Sequence, residues 1–482
     1  MPDFLFVNPP LSMTERYGDL AIGGSNLPPL GLANLAAAVR AAGFSTAILD
    51  AAILKMTPEQ TIKKITDLNP RVVGFTAATV AIGNFVEIAR GLKKIHPNMP
   101  VVVGGAHISA ATEATLMRFH DCIDAGVIGE GDATAVELLD TLLNGKPIEN
   151  IPGLALWHNG KVRFTAPRPL VHDMDSLPPA ARDLLPNLPR YYSPASNCYL
   201  RSPSTSVITS RGCPGRCTFC DRTVSTNVLR GHSTEYLIEE IEALRRDFVI
   251  RDIIFYDDNF VTLRKRLHTL CEAMISRGSP VSWSCTARVD MVSPEGLKLM
   301  KKAGCWQIAY GIESGSQEIL DSLNKGITLE TIRQTLKWTQ KAGINNRGYF
   351  MIGVPGESVE TIKKTIAFMK SLPLDDFHIS YFTPWPASQL YHEIKRSGYY
   401  KDIDEMWGQM SGWLPVYVPD GMTAVELERW HRRAFVAFYL RPRPILRYLK
   451  NSARNPAVFV RMIRGGYGII KAAIKSLLLK QN

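Results

Sequence analysis

The chain has 482 residues, is 45% hydrophobic and 21% charged, and carries a formal net charge of +11. This composition is ordinary for a globular protein and excludes disordered and collagen-like classes, while the length suggests about three domains. Residues 421–482 hold 13 basic and 2 acidic side chains, and residues 1–420 hold 43 of each sign, which argues against a nucleic-acid-coating fold and for a neutral body with a basic appendage.

The chain opens Met-Pro-Asp-Phe-Leu-Phe-Val-Asn-Pro-Pro, with no basic leader and no small-residue cleavage site, so a cytoplasmic protein is expected. Residues 1–145 then alternate apolar runs (4–7, 46–49, 72–76, 101–103, 122–128) with amphipathic patterns of helical period (30–42, 58–68, 82–95, 134–143). Continuous apolar strands between such helices predict a parallel sheet covered on both faces. Five units make an open, doubly wound α/β domain, whose ligand should lie beyond the carboxyl ends of the strands. Small and polar residues cluster there: Thr76, Thr79, Gly104, Gly105, His107, Glu130 and Gly131. His107 can face a ligand or be a hydrogen-bonded structural residue. No G-x-G-x-x-G follows the first strand, so a nicotinamide dinucleotide is a poor fit.

Residues 146–203 read as a linker. It contains a hairpin turning at 157–160 and a proline-rich stretch from Leu177 to Pro194. Strand–helix alternation resumes over 204–390. Strands are predicted at 205–209, 253–256, 281–285, 307–312, 348–352 and 377–381, with helices at 234–246, 263–275, 294–302, 329–341 and 359–371. Six such units fit a partial (β/α)6 barrel, with chemistry at the carboxyl ends of its strands. A C-terminal region, 391–482, becomes basic and helical from about residue 421.

Directly after the first barrel strand stands Arg211-Gly-Cys213-Pro-Gly-Arg-Cys217-Thr-Phe-Cys220. Three thiolates on one loop can hold three irons of a cubane cluster and leave the fourth iron open. The alternatives are a zinc site and three core thiols. Zinc would want a fourth ligand, and the nearest candidates, Cys198 and His232, form no partner motif. Cys122, Cys271, Cys285 and Cys305 sit in apolar contexts and read as core thiols.

The C-x3-C-x2-C spacing, with Phe219 before the last cysteine, resembles the signature of radical S-adenosylmethionine enzymes. Tyr256-Asp257-Asp258-Asn259-Phe260, Ala287-Arg288-Val-Asp290, Ala309-Tyr-Gly-Ile-Glu313-Ser314-Gly315 and Phe350-Met-Ile-Gly353-Val-Pro-Gly356-Glu357 resemble that family's further segments in their expected order. The resemblance implies a 4Fe-4S cluster on Cys213, Cys217 and Cys220. It implies S-adenosylmethionine contacts from Asp257, Asp258, Arg288, Glu313, Ser314, Gly353 and Glu357, although Asp257 and Asp258 can instead cap the next helix and Glu313 and Ser314 can be a satisfied loop pair.

Asn8-Pro-Pro10, Pro29-Leu-Gly-Leu-Ala33, Val103-Gly-Gly105 and Gly129-Glu-Gly131 resemble the cobalamin domain of the cobalamin-dependent branch, the subgroup of the anaerobic magnesium-protoporphyrin ester cyclase and the tetrapyrrole and hopanoid methylases. That likeness implies cobalamin against Thr76, Thr79, Gly104, Gly105, His107, Glu130 and Gly131. The wider family's Asp-x-His-x-x-Gly is absent: Asp50-Ala-Ala-Ile-Leu-Lys55 holds no histidine, leaving the lower face of cobalt to water, another side chain or nothing.

The expected function is therefore an oxygen-sensitive, cobalamin-dependent methyltransferase acting on an unactivated carbon of an apolar, tetrapyrrole- or lipid-like small molecule. The alternatives are a radical oxidative cyclase and, from another class, a cobalamin-sensing or electron-transfer iron–sulfur protein. A flavodoxin or ferredoxin is the expected reductant, and no nucleic-acid partner is expected. In the tail, residues 435–440, 445–449 and 469–479 set apolar residues beside Lys and Arg, a pattern expected to touch a membrane surface. No apolar run reaches the ~18 residues of a membrane span. Tyr310, Tyr349 and Tyr381 are candidate pocket residues.

Overall fold

A computed structural model describes residues 1–18, 21, 24–195, 197–442 and 444. Its first sheet contains β1 (Phe4–Asn8), β2 (Thr46–Asp50), β3 (Val72–Thr76), β4 (Val101–Gly104), β5 (Ala125–Val127), β6 (Leu154–His158) and β7 (Lys161–Phe164), in the order β2-β1-β3-β4-β5-β6-β7. The first five run parallel, with Phe4 level with Thr46 on one side and Val72 on the other. Leu5, Val7, Val73, Val101 and Val103 are fully buried because helices cover both faces. Local signals set the helix ends. Pro58–Leu68 starts at a capping box of Thr57 with Gln60, with Pro58 in its first turn, satisfying backbone donors that the helix leaves open. The β6–β7 hairpin, expected inside a separate linker, is hydrogen-bonded antiparallel to β5 and extends this sheet.

The second sheet begins with β8 (Ser204–Val207). A short antiparallel pair, β9 (Ser210–Arg211) and β10 (Arg230–Gly231), brackets the cysteine loop. The sheet continues with β11 (Asp252–Phe255), β12 (Ser282–Ala287), β13 (Cys305–Glu313), β14 (Asn345–Ile352) and β15 (Asp376–Tyr381). Six parallel strands in the order β15-β14-β13-β12-β11-β8 form an open half-barrel with helices outside.

Residues beyond β15 bind the two sheets together. Leu390, Tyr391, Ile394, Ile403 and Trp407 share one core with Phe75, Ile82 and Phe85 of the first domain. Helix Ala424–Tyr439 lies on β15, where the rings of Phe435 and Phe438 stand 5.1 and 4.4 Å from Phe377. The apolar face expected at a membrane therefore serves the fold over 435–439, each buried aromatic contributing roughly 2–3 kcal/mol. Segments 445–449 and 469–479 lie outside the described residues. Among the described residues no helix is long and apolar enough to cross a membrane.

Candidate functional site

The carboxyl ends of both sheets open on one cavity, with about 1210 Å³ of space outside protein atoms including its mouth. From the first domain it is walled by Phe4, Leu35, Thr76, Gly104, Gly105 and the 129–132 loop, and from the half-barrel by Ile208, Ser210, Arg211, Tyr256, Asp257 and Asp258. Two glycines let backbone come close to whatever fills it. Gly105 has φ +98°, and a Cβ there would sit 2.9 Å from Thr76 Oγ1; Gly129 has φ +73° with open space where a Cβ would point. Left-handed backbone of this kind favours glycine.

Charged side chains join the two walls. Arg211 donates to Asp132 at 2.6 and 3.1 Å, and Arg230 donates to Glu130 at 3.0 and 2.5 Å. All four are nearly buried, and both pairs use the two-pronged geometry that makes arginine–carboxylate contacts strong. Since Arg211 and Arg230 face each other on β9 and β10, the base of the cysteine loop is fastened to the 129–132 loop.

Cys213, Cys217 and Cys220 are free thiols on that loop. A Cβ on Gly215 would lie 3.4 Å from Cys213 Sγ and 4.0 Å from Cys217 Sγ, so these two thiols gather around one glycine. The loop is pinned from the half-barrel side, where Thr218 N–H donates to the Leu323 carbonyl at 3.0 Å. Among the described residues no three His, Cys, Asp or Glu side chains converge on a single-ion position; in a cubane cluster each cysteine takes its own iron, so convergence on one point is not required.

Three of the residues expected to meet S-adenosylmethionine lie around this loop. Arg288 Nη1 is 4.0 Å from Cys217 Sγ, and its Nη2 donates to the Lys325 carbonyl at 2.8 Å. Lys325 Nζ pairs with Glu313 Oε1 at 2.7 Å and lies 5.7 Å from the centre of the Phe219 ring. The β13–β14 register shifts between Gly311 and Glu313, and Glu313 has φ +64°, a strained bulge that re-aims its carboxylate. Asp258 is exposed to the cavity; burial by surrounding protein, then the Asp257 charge, raises its carboxyl.

The structure turns the other expected residues inward. Asp257 accepts from Thr209 N–H at 2.6 Å, from Ser210 Oγ at 2.6 Å and from the Thr209 hydroxyl, so its side chain locks the start of the cysteine loop. It caps no helix. Ser314 is fully buried and meets Thr365 Oγ1 at 3.1 Å. Glu357 accepts from Gly353 and Val354 N–H at 2.5 and 3.3 Å, and burial raises its carboxyl to about 7. Gly353 needs its hydrogen: at φ +82° a Cβ would meet Leu427 Cδ2 at 2.8 Å.

His107 and Thr79 do not reach the cavity wall. His107 is fully buried, with Thr79 Oγ1 at 3.3 Å, Thr115 Oγ1 at 3.1 Å and the Trp407 ring 4.4 Å away. Strand parity also corrects the tyrosines. Tyr310 faces outward to Thr339 at 2.7 Å and Tyr381 stacks on His431 at 4.3 Å, leaving Tyr349 alone of the three toward the lumen. The pairings of Arg211 with Asp132, Arg230 with Glu130 and Lys325 with Glu313 are not marked in the sequence, because the partners lie 79, 100 and 12 residues apart and no local pattern announces such pairs.

Residues 20–139 match the family model described as the B12 binding domain, and residues 207–369 match the Radical SAM superfamily. The chain is 35% identical to an uncharacterized methyltransferase of Pyrococcus horikoshii, over 92% of this chain and 94% of that one. It is 28% identical to the anaerobic magnesium-protoporphyrin IX monomethyl ester cyclase of Rubrivivax gelatinosus, over 88% and 75%. In fold it resembles the radical S-adenosylmethionine methyltransferase TsrM from Kitasatospora setae, with a TM-score of 0.67 at 20% identity over 82% of this chain and 75% of that one.

Proposed function

The chain belongs to the cobalamin-dependent radical S-adenosylmethionine methyltransferases, and from that membership we propose that it methylates an unactivated carbon of an apolar small molecule, tetrapyrrole- or lipid-like. A 4Fe-4S cluster, S-adenosylmethionine and cobalamin are the cofactors of this enzyme class. The single observation that carries the reading is the shared cavity, which places the strand ends of the first domain opposite the mouth of the half-barrel beside the cysteine loop.

The residues present fit these groups. Thr76, Gly104, Gly105, Glu130 and Gly131 line a cradle with apolar walls and close backbone, suited to a large flat ligand. Cys213, Cys217 and Cys220 would hold the cluster, with Arg288 and Lys325 offsetting its negative charge. Glu313 and Asp258 would meet the hydroxyl and amino groups of S-adenosylmethionine, and the Gly353 turn would shape its adenine side. When bound, the cluster with S-adenosylmethionine supplies a carbon radical and methylcobalamin supplies the methyl group. The chain's own work is to bind and orient: the Arg211–Asp132 and Arg230–Glu130 pairs fix one wall of the cavity against the other. Thr79 and His107 hold the 3-10 turn Thr79–Ala81 and the segment around Trp407 in place.

Residues 445–482 contain eight basic and no acidic side chains; this supports contact of the tail with an anionic membrane surface. The electron donor fits a flavodoxin or ferredoxin. The test is anaerobic turnover with reductant and S-adenosylmethionine bearing a deuterated methyl group. A product gaining that methyl is expected. Product without label would indicate oxidative cyclisation, and absence of 5′-deoxyadenosine would sink the radical reading.

A further inference from the structure

The upper half-barrel keeps open space between its strands. Side chains alternate across a strand, and the outward set packs on helices, as Phe377 and Tyr381 do. The inward set has partly exposed members near the strand ends: Ile254, Tyr256, Thr286, Gly311, Tyr349 and His378. Tyr256 also lines the large cavity together with Asp258. It is 56% exposed, yet burial raises its phenol, a combination expected of a ring bordering an enclosed space. Burial likewise pushes Tyr349 up to about 12 and His378 down to about 3, although both rings are only half-buried.

One wall of this space is aromatic. Tyr349 and His378 are partners across β14 and β15, with ring centres 5.6 Å apart. Trp413 closes on His378 at 4.8 Å, and Tyr17 on Trp413 at 5.9 Å, so residues from both ends of the chain shut the open flank of the half-barrel. Tyr256 is close enough to act electrostatically on Tyr349, and Tyr17 on Tyr256. The wall stands at the level of the expected cofactor contacts. Gly311 is the strand partner of Tyr349, one strand spacing or about 4.8 Å along the sheet. A Cβ on Gly311 would meet Glu313 Oε1 at 2.7 Å and Lys325 Nζ at 2.9 Å, so the ion pair beside the cysteine loop adjoins the aromatic wall. The wall is polar but neutral. Among the described residues no hydrogen bond reaches the hydroxyls of Tyr256 and Tyr349, the nitrogens of His378 or the indole N–H of Trp413, and these atoms are not sealed from solvent. Arg347, one layer deeper, is no free charge: it is buried, pairs with Asp376 Oδ2 at 3.5 Å and faces Cys198 Sγ. The exposed guanidinium of Arg16 is held over Tyr17, 5.3 Å from its ring centre.

Resting on the function proposed above, we propose that the part of the substrate entering the half-barrel is an uncharged flat ring system bearing a hydrogen-bonding group, with the ring against Tyr349 and Trp413 and the polar group at His378. A flat ring gains stacking and edge-to-face contacts on these side chains. A saturated lipid skeleton would cover four open polar groups without pairing any of them, which is costly. A charged group would exchange water for neutral partners alone, which costs more. Of the two skeletons considered above, the tetrapyrrole-like one therefore suits this wall and the lipid-like one does not.

The test uses the holoenzyme and isothermal titration calorimetry near neutral pH with four probes of one size: 2-naphthol, its saturated analogue decahydro-2-naphthol, 2-naphthoate and 2-naphthylmethylamine. Wild type should bind 2-naphthol at least tenfold tighter than each of the other three. Tyr349→Leu should bring 2-naphthol and its saturated analogue within about twofold. His378→Phe, which keeps a ring and removes its nitrogens, should weaken 2-naphthol at least fivefold; cluster and cobalamin absorbance report that each variant is folded. Equal or tighter binding of the saturated or a charged probe by wild type, a flat-ring preference that survives Tyr349→Leu, unchanged 2-naphthol affinity in His378→Phe, or no binding of 2-naphthol at millimolar concentration would each overturn the assignment. Failure to form 5′-deoxyadenosine would instead count against the methyltransferase reading and leave the binding result standing.

Discussion

Arg211 holds Asp132 through both terminal guanidinium nitrogens, at 2.6 and 3.1 Å, across 79 residues of sequence. The contact ties the strand before the cysteine loop to the first turn of helix Asp132–Leu143, so the geometry of the cysteine loop depends on that of the 129–132 loop. Asp132→Asn should leave a buried guanidinium short of countercharge, a loss of about 3 kcal/mol in urea unfolding. It should also weaken cobalamin binding at least tenfold by equilibrium dialysis. Replacing both partners by leucine and methionine should restore part of the stability, because a buried pair costs desolvation that apolar residues avoid.

Burial lowers His107 to about 4, and its folded value thus lies below the unfolded value near 6.5. The unfolded chain binds the extra proton between those values. Stability from this group is complete above about pH 6.5 and is lost as pH falls toward 4, by about 3 kcal/mol. Denaturant unfolding at pH 4.5 and 7.5 should show this loss in wild type, and His107→Gln should reduce it. With cobalamin bound and reduced to cobalt(II), the paramagnetic resonance spectrum should lack imidazole nitrogen splitting and be the same in both proteins.

Glu313→Gln should raise the dissociation constant for S-adenosylmethionine about tenfold while leaving the cluster's absorbance unchanged, since Glu313 reaches the cysteine loop only through Lys325. Cys217→Ala, by contrast, should abolish that absorbance. An unchanged spectrum would refute the ligand assignment.

Truncation after residue 444 removes eight basic side chains and no acidic one. Co-sedimentation with phosphatidylglycerol vesicles should fall to background. Cofactor loading should persist, because helix Ala424–Tyr439 remains packed on β15.

The doubly wound domain and the half-barrel were legible in sequence because apolar period and capping residues are local signals: helices 58–68, 82–95, 294–302, 329–341 and 359–371 have the ends that their caps and patterns announce. The cysteine loop was legible through its spacing. What stayed hidden depends on pairing and parity. Asp257 and Glu357 occupy expected motif positions, yet they accept from Thr209 and from the Gly353 turn, and only the folded chain shows which way such carboxylates turn.

Tyr17 and Trp413 belong to neither sheet, yet they close the flank of the lumen. The flank is thereby independent of the sheets: these positions can be changed without altering a strand residue, a cysteine or an interdomain ion pair. A saturation library at 17 and 413 is the natural place to retrain this scaffold for a molecule of different width.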